Sequence, residues 1–185
     1  SGEPIADVDT LIVAGPKEEL SKRDLFEIDQ FIMNGGRVIF LVDKHKVGAG
    51  LSLVPVDNGL DKLLSHYGVI VGKDLVLDVV NETVPFNCGM VQFLIPYPYW
   101  LKLVAKNFLS EHPIVSRLET VSFGWVSSVS KNDSVLGDNI KVELLLNTSP
   151  NGWIQAGDYS VDPNKKVIIT DDQKKQISVM AVASG

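Results

Sequence analysis

The sequence predicts an α/β fold: a largely parallel central sheet flanked by helices, with a strand-rich C-terminal half that completes or extends it. Three observations predict it. TLIVAG, residues 10–15, is a continuous apolar run closed by Gly-Pro, the pattern of a strand buried on both faces. A helical pattern follows and ends at Gly35-Gly36. RVIFLVD, residues 37–43, is a second apolar run. Strand, helix and strand over 10–43 make a βαβ unit with a right-handed crossover.

Each element has its own local signals. Ser21 is a good helix N-cap, and Asp24, three positions on, completes a capping box. Leu25, Ile28 and Ile32 recur at helical spacing, and Phe31 widens the stripe. Residues 44–57, with Gly48, Gly50 and Pro55, read as a loop. NGLDKLLSHYG, 58–68, predicts a shorter helix with Leu60, Leu63 and Leu64 inward and Gly68 at its end. VIVGKDLVLDV holds two short strands, or one bent at Gly72. Residues 81–100 read as irregular, with Pro85, Pro96 and Pro98 among Phe86, Phe93, Tyr97, Tyr99 and Trp100. The half from about 84 to 185 is strand-rich, with strands expected at 120–129, 139–149, 165–171 and 176–184 and Asn/Asp/Gly turns between them.

Bulk properties bound the function. The 185 residues suit a single domain spanning 1–185, and 45% hydrophobic with 22% charged residues are ordinary globular values. Lys and Arg number 17 against 23 Asp and Glu, and no basic run exceeds two residues, so nothing supports nucleic-acid binding. A single cysteine, Cys88, rules out an internal disulfide. No apolar run approaches the roughly 18 residues that span a bilayer. The Ser-Gly start and the Ala-Ser-Gly end predict a domain excised from a larger protein, whose anchor lies elsewhere.

Four features invite chemistry. The loop after the first strand is Gly15-Pro16-Lys17-Glu18-Glu19-Leu20. A dinucleotide site needs G-x-G-x-x-G there, and a carboxylate pair takes the place an anion would occupy, so the loop reads as a tight corner without a cofactor. Asp43, Lys44 and His45 follow the second strand, at the end of an open α/β sheet where ligands usually bind. They are the candidate small-ligand site, or else part of a solvated loop. Cys88 is the lone thiol, with Gly89 after it but bulky Phe86 and Asn87 before it, and His45, His66 and His112 lie at unrelated points. It reads as a small buried hydrophobe, and a catalytic nucleophile is the alternative. No spacing resembles a metal site. YPYW, 97–100, offers Tyr97, Tyr99 and Trp100 as protein-contact residues, or as a satellite core under a long loop.

Several blocks together resemble a known family. DTLIVAGPKEELSKRDLFEIDQFIMNGGRVIFLVD, GLDKLLSHYGVIVGKDLVLD, HPIVSRL, FGWVSSV and ELLLNTSPNGWIQ are similar to the GldG-type auxiliary domain of ABC transport systems, associated with gliding motility and akin to the intraflagellar transport GIFT domain. The resemblance covers about residues 8–183 and is weakest at 44–57. It implies an α/β fold like that of class I glutamine amidotransferases (flavodoxin-like) without their catalytic residues. It also implies a non-catalytic binding or assembly module on the extracytoplasmic, periplasmic face of a bacterial inner membrane, tethered by segments outside this stretch. ABC permease and ATPase subunits, or a partner auxiliary protein, would be its partners, with no cofactor of its own. The alternatives are a divergent amidotransferase-like hydrolase using Cys88, and a glycan-binding module using Tyr97, Tyr99 and Trp100.

Overall fold

The βαβ unit forms where the sequence places it. In the computed structural model, which describes residues 5, 8–108, 111–137, 139–157, 160–165 and 169–185, β1 (Thr10–Ala14) and β2 (Arg37–Leu41) pair in parallel with α1 (Lys22–Met33) between them. Ser21 caps α1 as expected. Its Oγ accepts from the Asp24 N–H at 3.1 Å, and the Ser21 N–H donates back to the Asp24 carboxylate at 3.2 Å. The two glycines after the helix answer different demands. Gly35 takes φ +86, which disfavours a side chain, whereas a Cβ at Gly36 would collide with the Phe31 ring.

Beyond β2 the architecture departs from expectation. Residues read as a loop at 44–57 contain a hairpin, β3 (His45–Val47) against β4 (Leu53–Pro55). The short helix is α2 (Asp61–His66), ended by Gly68 at φ +81. Gly72 separates two strands, β5 (Val69–Val71) and β6 (Leu75–Leu77). The stretch read as irregular is instead a long hairpin, β7 (Asn81–Cys88) and β8 (Val91–Val104). There follow β9 (Thr120–Gly124), β10 (Val129–Lys131), β11 (Lys141–Asn147), β12 (Trp153–Gln155) and β13 (Ser178–Ser184). Of the strand expected at 165–171, residues 166–168 lie outside the described residues.

These elements do not build a largely parallel, flavodoxin-like sheet flanked by helices, and that expectation is corrected. Among the described residues only β1–β2 is parallel. The remaining pairings, β3–β4, β5–β10, β6–β12, β11–β13 and β7–β8–β9, are antiparallel and form small sheets. The described chain has two α-helices. Parallel pairing needs a long crossover, usually a helix, between strands, and after α2 no α-helix separates the strands among the described residues. The βαβ signal is local, and it does not govern the strands that follow.

Prolines misled the reading of 81–100, and the sheet explains how they fit. Only residues 100–104 of β8 pair with β9. Pro96 lies before that stretch, where β8 has strand pairing on the β7 side alone, and Pro98 falls in the register shift between the Glu82–Tyr97 and Asn81–Leu101 pairs, with no β7 partner. A strand with one free edge tolerates a residue without an N–H.

The core sits in the antiparallel part. Alternate residues of β8 are buried: Tyr97 and Tyr99 join Leu75, Leu77 and Trp153 in one cluster, and Leu101 and Leu103 join Val76, Leu145 and Leu146 in another. β6 is buried on both faces and sends side chains to both clusters. Each such aliphatic side chain stabilises the fold by about 1.5–3 kcal/mol.

Candidate functional site

The corner after β1 is closed by its own charges. Lys17 forms an ion pair with Asp43, both about half exposed, across the C-terminal ends of β1 and β2. Gly15, at φ +50, donates its N–H to the Leu41 carbonyl at 2.7 Å. A Cβ there would lie 3.2 Å from Asp43 Oδ2, so the bare backbone lets the ion pair form over the corner.

The three residues proposed as a ligand site turn in different directions. Asp43 faces Lys17. Lys44 is buried, and its ammonium bonds Asp61 in α2. His45 is buried at the start of β3. Burial holds its pKa below the ordinary 6.5, opposed by the charge of Asp74. Asp74 in turn accepts the Ser128 N–H at 2.8 Å and the Ser128 hydroxyl at 2.7 Å.

YPYW lies on β8, so its side chains alternate. Tyr97 and Tyr99 point into the core, 1% and 3% exposed. The Tyr97 hydroxyl donates to the Val161 carbonyl at 2.5 Å and accepts from Trp125 Nε1 at 3.3 Å. Burial pushes its phenol up to about 12. The Tyr99 hydroxyl donates to Gln155 Oε1 at 2.7 Å. Trp100 lies on the other face, half-buried, edge-on to Trp125 with centroids 5.3 Å apart.

Cys88 closes β7 and pairs with Val91 across the turn. A strand does precede it, contrary to the sequence reading, but the chain continues into another strand and not into a helix. Its side chain lies outside what is described. Among the described residues no group of three His, Cys, Asp or Glu could hold a metal ion.

The feature that sequence reasoning missed is the far end of the same hairpin. Gly89, at φ +63, is the first central residue of a two-residue turn, a position that primed hairpin turns give to glycine. Around it Met90 is fully exposed, and Val91, Phe93 and Leu94 are 55%, 52% and 70% exposed. No charged residue occurs from Thr83 to Leu101. The uncharged stretch is bounded at its base by Lys102 and Glu82, 3.5 Å apart, and Glu82 also accepts from the Ser122 hydroxyl at 2.6 Å. The signal was legible as a long charge gap centred on a glycine turn. It was hidden because the prolines argued against strands.

An uncharged, apolar hairpin end on an acidic domain has the chemistry of a contact surface and not of a catalytic centre. All of residues 1–185 match the family described as "ABC-type uncharacterized transport system". The chain belongs to that family. No curated protein matches it. A solved structure titled "mmIFT52 N-terminal domain" is similar in fold, with TM-score 0.51 and 17% identity. The match covers 78% of this chain and 54% of that one, so the chain spans about half the length of its structural neighbour. No helix among the described residues is long and apolar enough to cross a membrane.

Proposed function

We propose that this domain is a non-catalytic docking module of an ABC transport auxiliary protein, and that the end of the β7–β8 hairpin seats in an apolar groove of the transporter's membrane subunit on the extracytoplasmic side. The observation that carries this is the charge-free arm: Met90, Val91, Phe93 and Leu94 exposed together, within a stretch lacking any charged residue from 83 to 101. Membership of a transport family supplies the kind of partner. Charge favours a protein over a bare anionic bilayer, because the domain carries net −6 and the arm offers no cation to offset it. The domain is read as one unit of a longer, membrane-tethered polypeptide.

The test is affinity purification of the full-length protein from its native membranes, wild type against Met90→Asp with Leu94→Asp. Both side chains are exposed, so thermal stability should stay within about 0.5 kcal/mol. We expect wild type to bring down a permease and an ATPase subunit, and the double variant to lose them. Equal recovery with both proteins would sink the assignment of the arm. A wild-type protein that purifies alone would sink the transport-docking reading itself.

A further inference from the structure

We propose that the open edge of β8 at Val91–Ile95 is a homotypic contact: two copies of this chain pair their arm ends edge to edge, antiparallel about a two-fold axis at Phe93. The pairing runs through the backbone of the strand edge, and it does not rest on the transporter-docking reading.

The two-residue turn fixes which backbone groups face outward. Cys88 and Val91 close it, so they exchange hydrogen bonds, and bonded and non-bonded pairs alternate from there down the hairpin. Asn87–Gln92, Pro85–Leu94 and Thr83–Pro96 are therefore the non-bonded pairs, whose N–H and C=O groups point away from the neighbouring strand. Pro85 and Pro96 both sit at such positions, where a missing N–H breaks no bond within the hairpin. On the β7 edge, Pro85 interrupts the row of outward donors. On the β8 edge, Pro96 ends it, and the Pro98 carbonyl is taken by the Asp78 N–H at 3.2 Å. Gln92 and Leu94 are left, each exposed and each with an N–H and a C=O directed outward. β9 begins to pair with β8 only at Trp100, and among the described residues no other strand covers this edge.

An unpaired edge recruits another strand, and proteins ordinarily blunt it with proline or charge. Prolines blunt the rest of the arm, whereas 91–95 carries neither proline nor charge. The open stretch is also complementary to itself. Aligned about Phe93, Gln92 of one copy faces Leu94 of the other on both sides of the axis, each pair exchanging both of its outward hydrogen bonds. An alignment centred on Leu94 would instead set each Gln92 carbonyl against Pro96, which has no N–H to donate. The side chains favour the same register, because its non-bonded pairs are Phe93 with Phe93 and Val91 with Ile95, all apolar. The net charge of −6 opposes association elsewhere on the surface, but no like charges meet here, since 83–101 carries none. The strip is smaller than the roughly 800 Å² per partner of a stable dimer, so the pairing is reversible and depends on concentration.

The test is disulfide trapping in the 185-residue chain, in a Cys88→Ser background so that each variant carries one cysteine. Cysteine replaces Val91, Gln92, Phe93, Leu94 and Ile95 in turn, and Met33→Cys on α1, 68% exposed, is the reference for random collision. Under a mild oxidant Phe93→Cys should form dimers faster than Met33→Cys by on the order of tenfold, because the pair on the axis brings its Cα atoms to about 4.5 Å. The other four should each dimerise more slowly than Phe93→Cys, while Val91→Cys mixed with Ile95→Cys should cross-link as readily as Phe93→Cys does. That mixture takes its place if circular dichroism shows Phe93→Cys unfolded. Adding Leu94→Pro, which removes an outward N–H and no bond to β7, should return the rate to the reference. Dimerisation no faster than Met33→Cys at every position overturns the proposal, and so does a maximum at another position or a rate that survives Leu94→Pro. No transporter subunit takes part, so this outcome is separate from that of the affinity purification.

Discussion

Asp78 accepts two hydrogen bonds from Ser149, one from the backbone N–H and one from the hydroxyl, each 2.6 Å long. Asp78 is fully buried at the end of β6, and Ser149 lies 71 positions later, after β11. A third bond, from the Val80 N–H at 3.1 Å, completes the carboxylate's shell. The link ties the segment leading into the long hairpin to the last part of the chain. Asp78→Ala leaves buried donors without an acceptor and should cost about 3 kcal/mol, whereas Ser149→Ala, which keeps its N–H, should cost about 1.5 kcal/mol. Chemical denaturation of the two single variants and the double variant checks this. The double variant should lose less than the sum, and additive losses would mean that the pair is not coupled.

The capping box at α1 gives a second expectation. Ser21→Ala should destabilise the protein by about 1 kcal/mol, read as a shift in denaturation midpoint. Its hydrogen bonds to the Asp24 carboxylate hold that group below its ordinary 3.8, so an NMR titration of the variant should find Asp24 shifted upward. An unmoved Asp24 would remove the box from the account.

Acid should weaken the fold through His45. Its folded pKa lies below the unfolded value of 6.5, chiefly because burial disfavours the imidazolium. The unfolded chain therefore binds the proton more readily. The stability is present above pH 6.5 and is lost as pH falls through the folded pKa. Urea midpoints measured from neutral pH downward should fall more steeply for the wild type than for His45→Gln. Parallel curves would contradict the assignment.

Alkali should act through two tyrosines. Burial pushes Tyr97 and Tyr67 up to about 12, and Tyr67 also donates to Asp29 at 2.8 Å. A phenol raised above its ordinary 10 contributes stability that is complete below pH 10 and is lost as pH rises through about 12. Phenolate absorbance should show a late-titrating class that coincides with unfolding. Tyr97→Phe with Tyr67→Phe should remove that class, and its survival would contradict the prediction.

The contrast between α1 and the long hairpin shows what was legible. Ser21, Asp24, Gly35 and Gly36 act within one or two turns of chain, so their roles follow from spacing alone and recur in the structure. Pro85, Pro96 and Pro98 were read by the same local logic and gave the wrong answer, because whether a proline fits a strand depends on which edges are paired. The site followed the same division. Asp43, Lys44 and His45 are adjacent in sequence, yet their partners are Lys17, Asp61 and the field of Asp74, each supplied by a different segment.

By itself the sequence determined the βαβ start, its caps and glycine stops, and the absence of charge from 83 to 101. These depend on neighbours a few residues apart or on composition. Only the tertiary structure decided that the sheets after β2 are antiparallel, that Tyr97 and Tyr99 belong to the core, and that Met90 and Leu94 stand exposed at a hairpin end. Strand pairing and burial join residues far apart in the chain, such as Asp78 and Ser149, and no local pattern encodes which distant partner completes each one's hydrogen bonds.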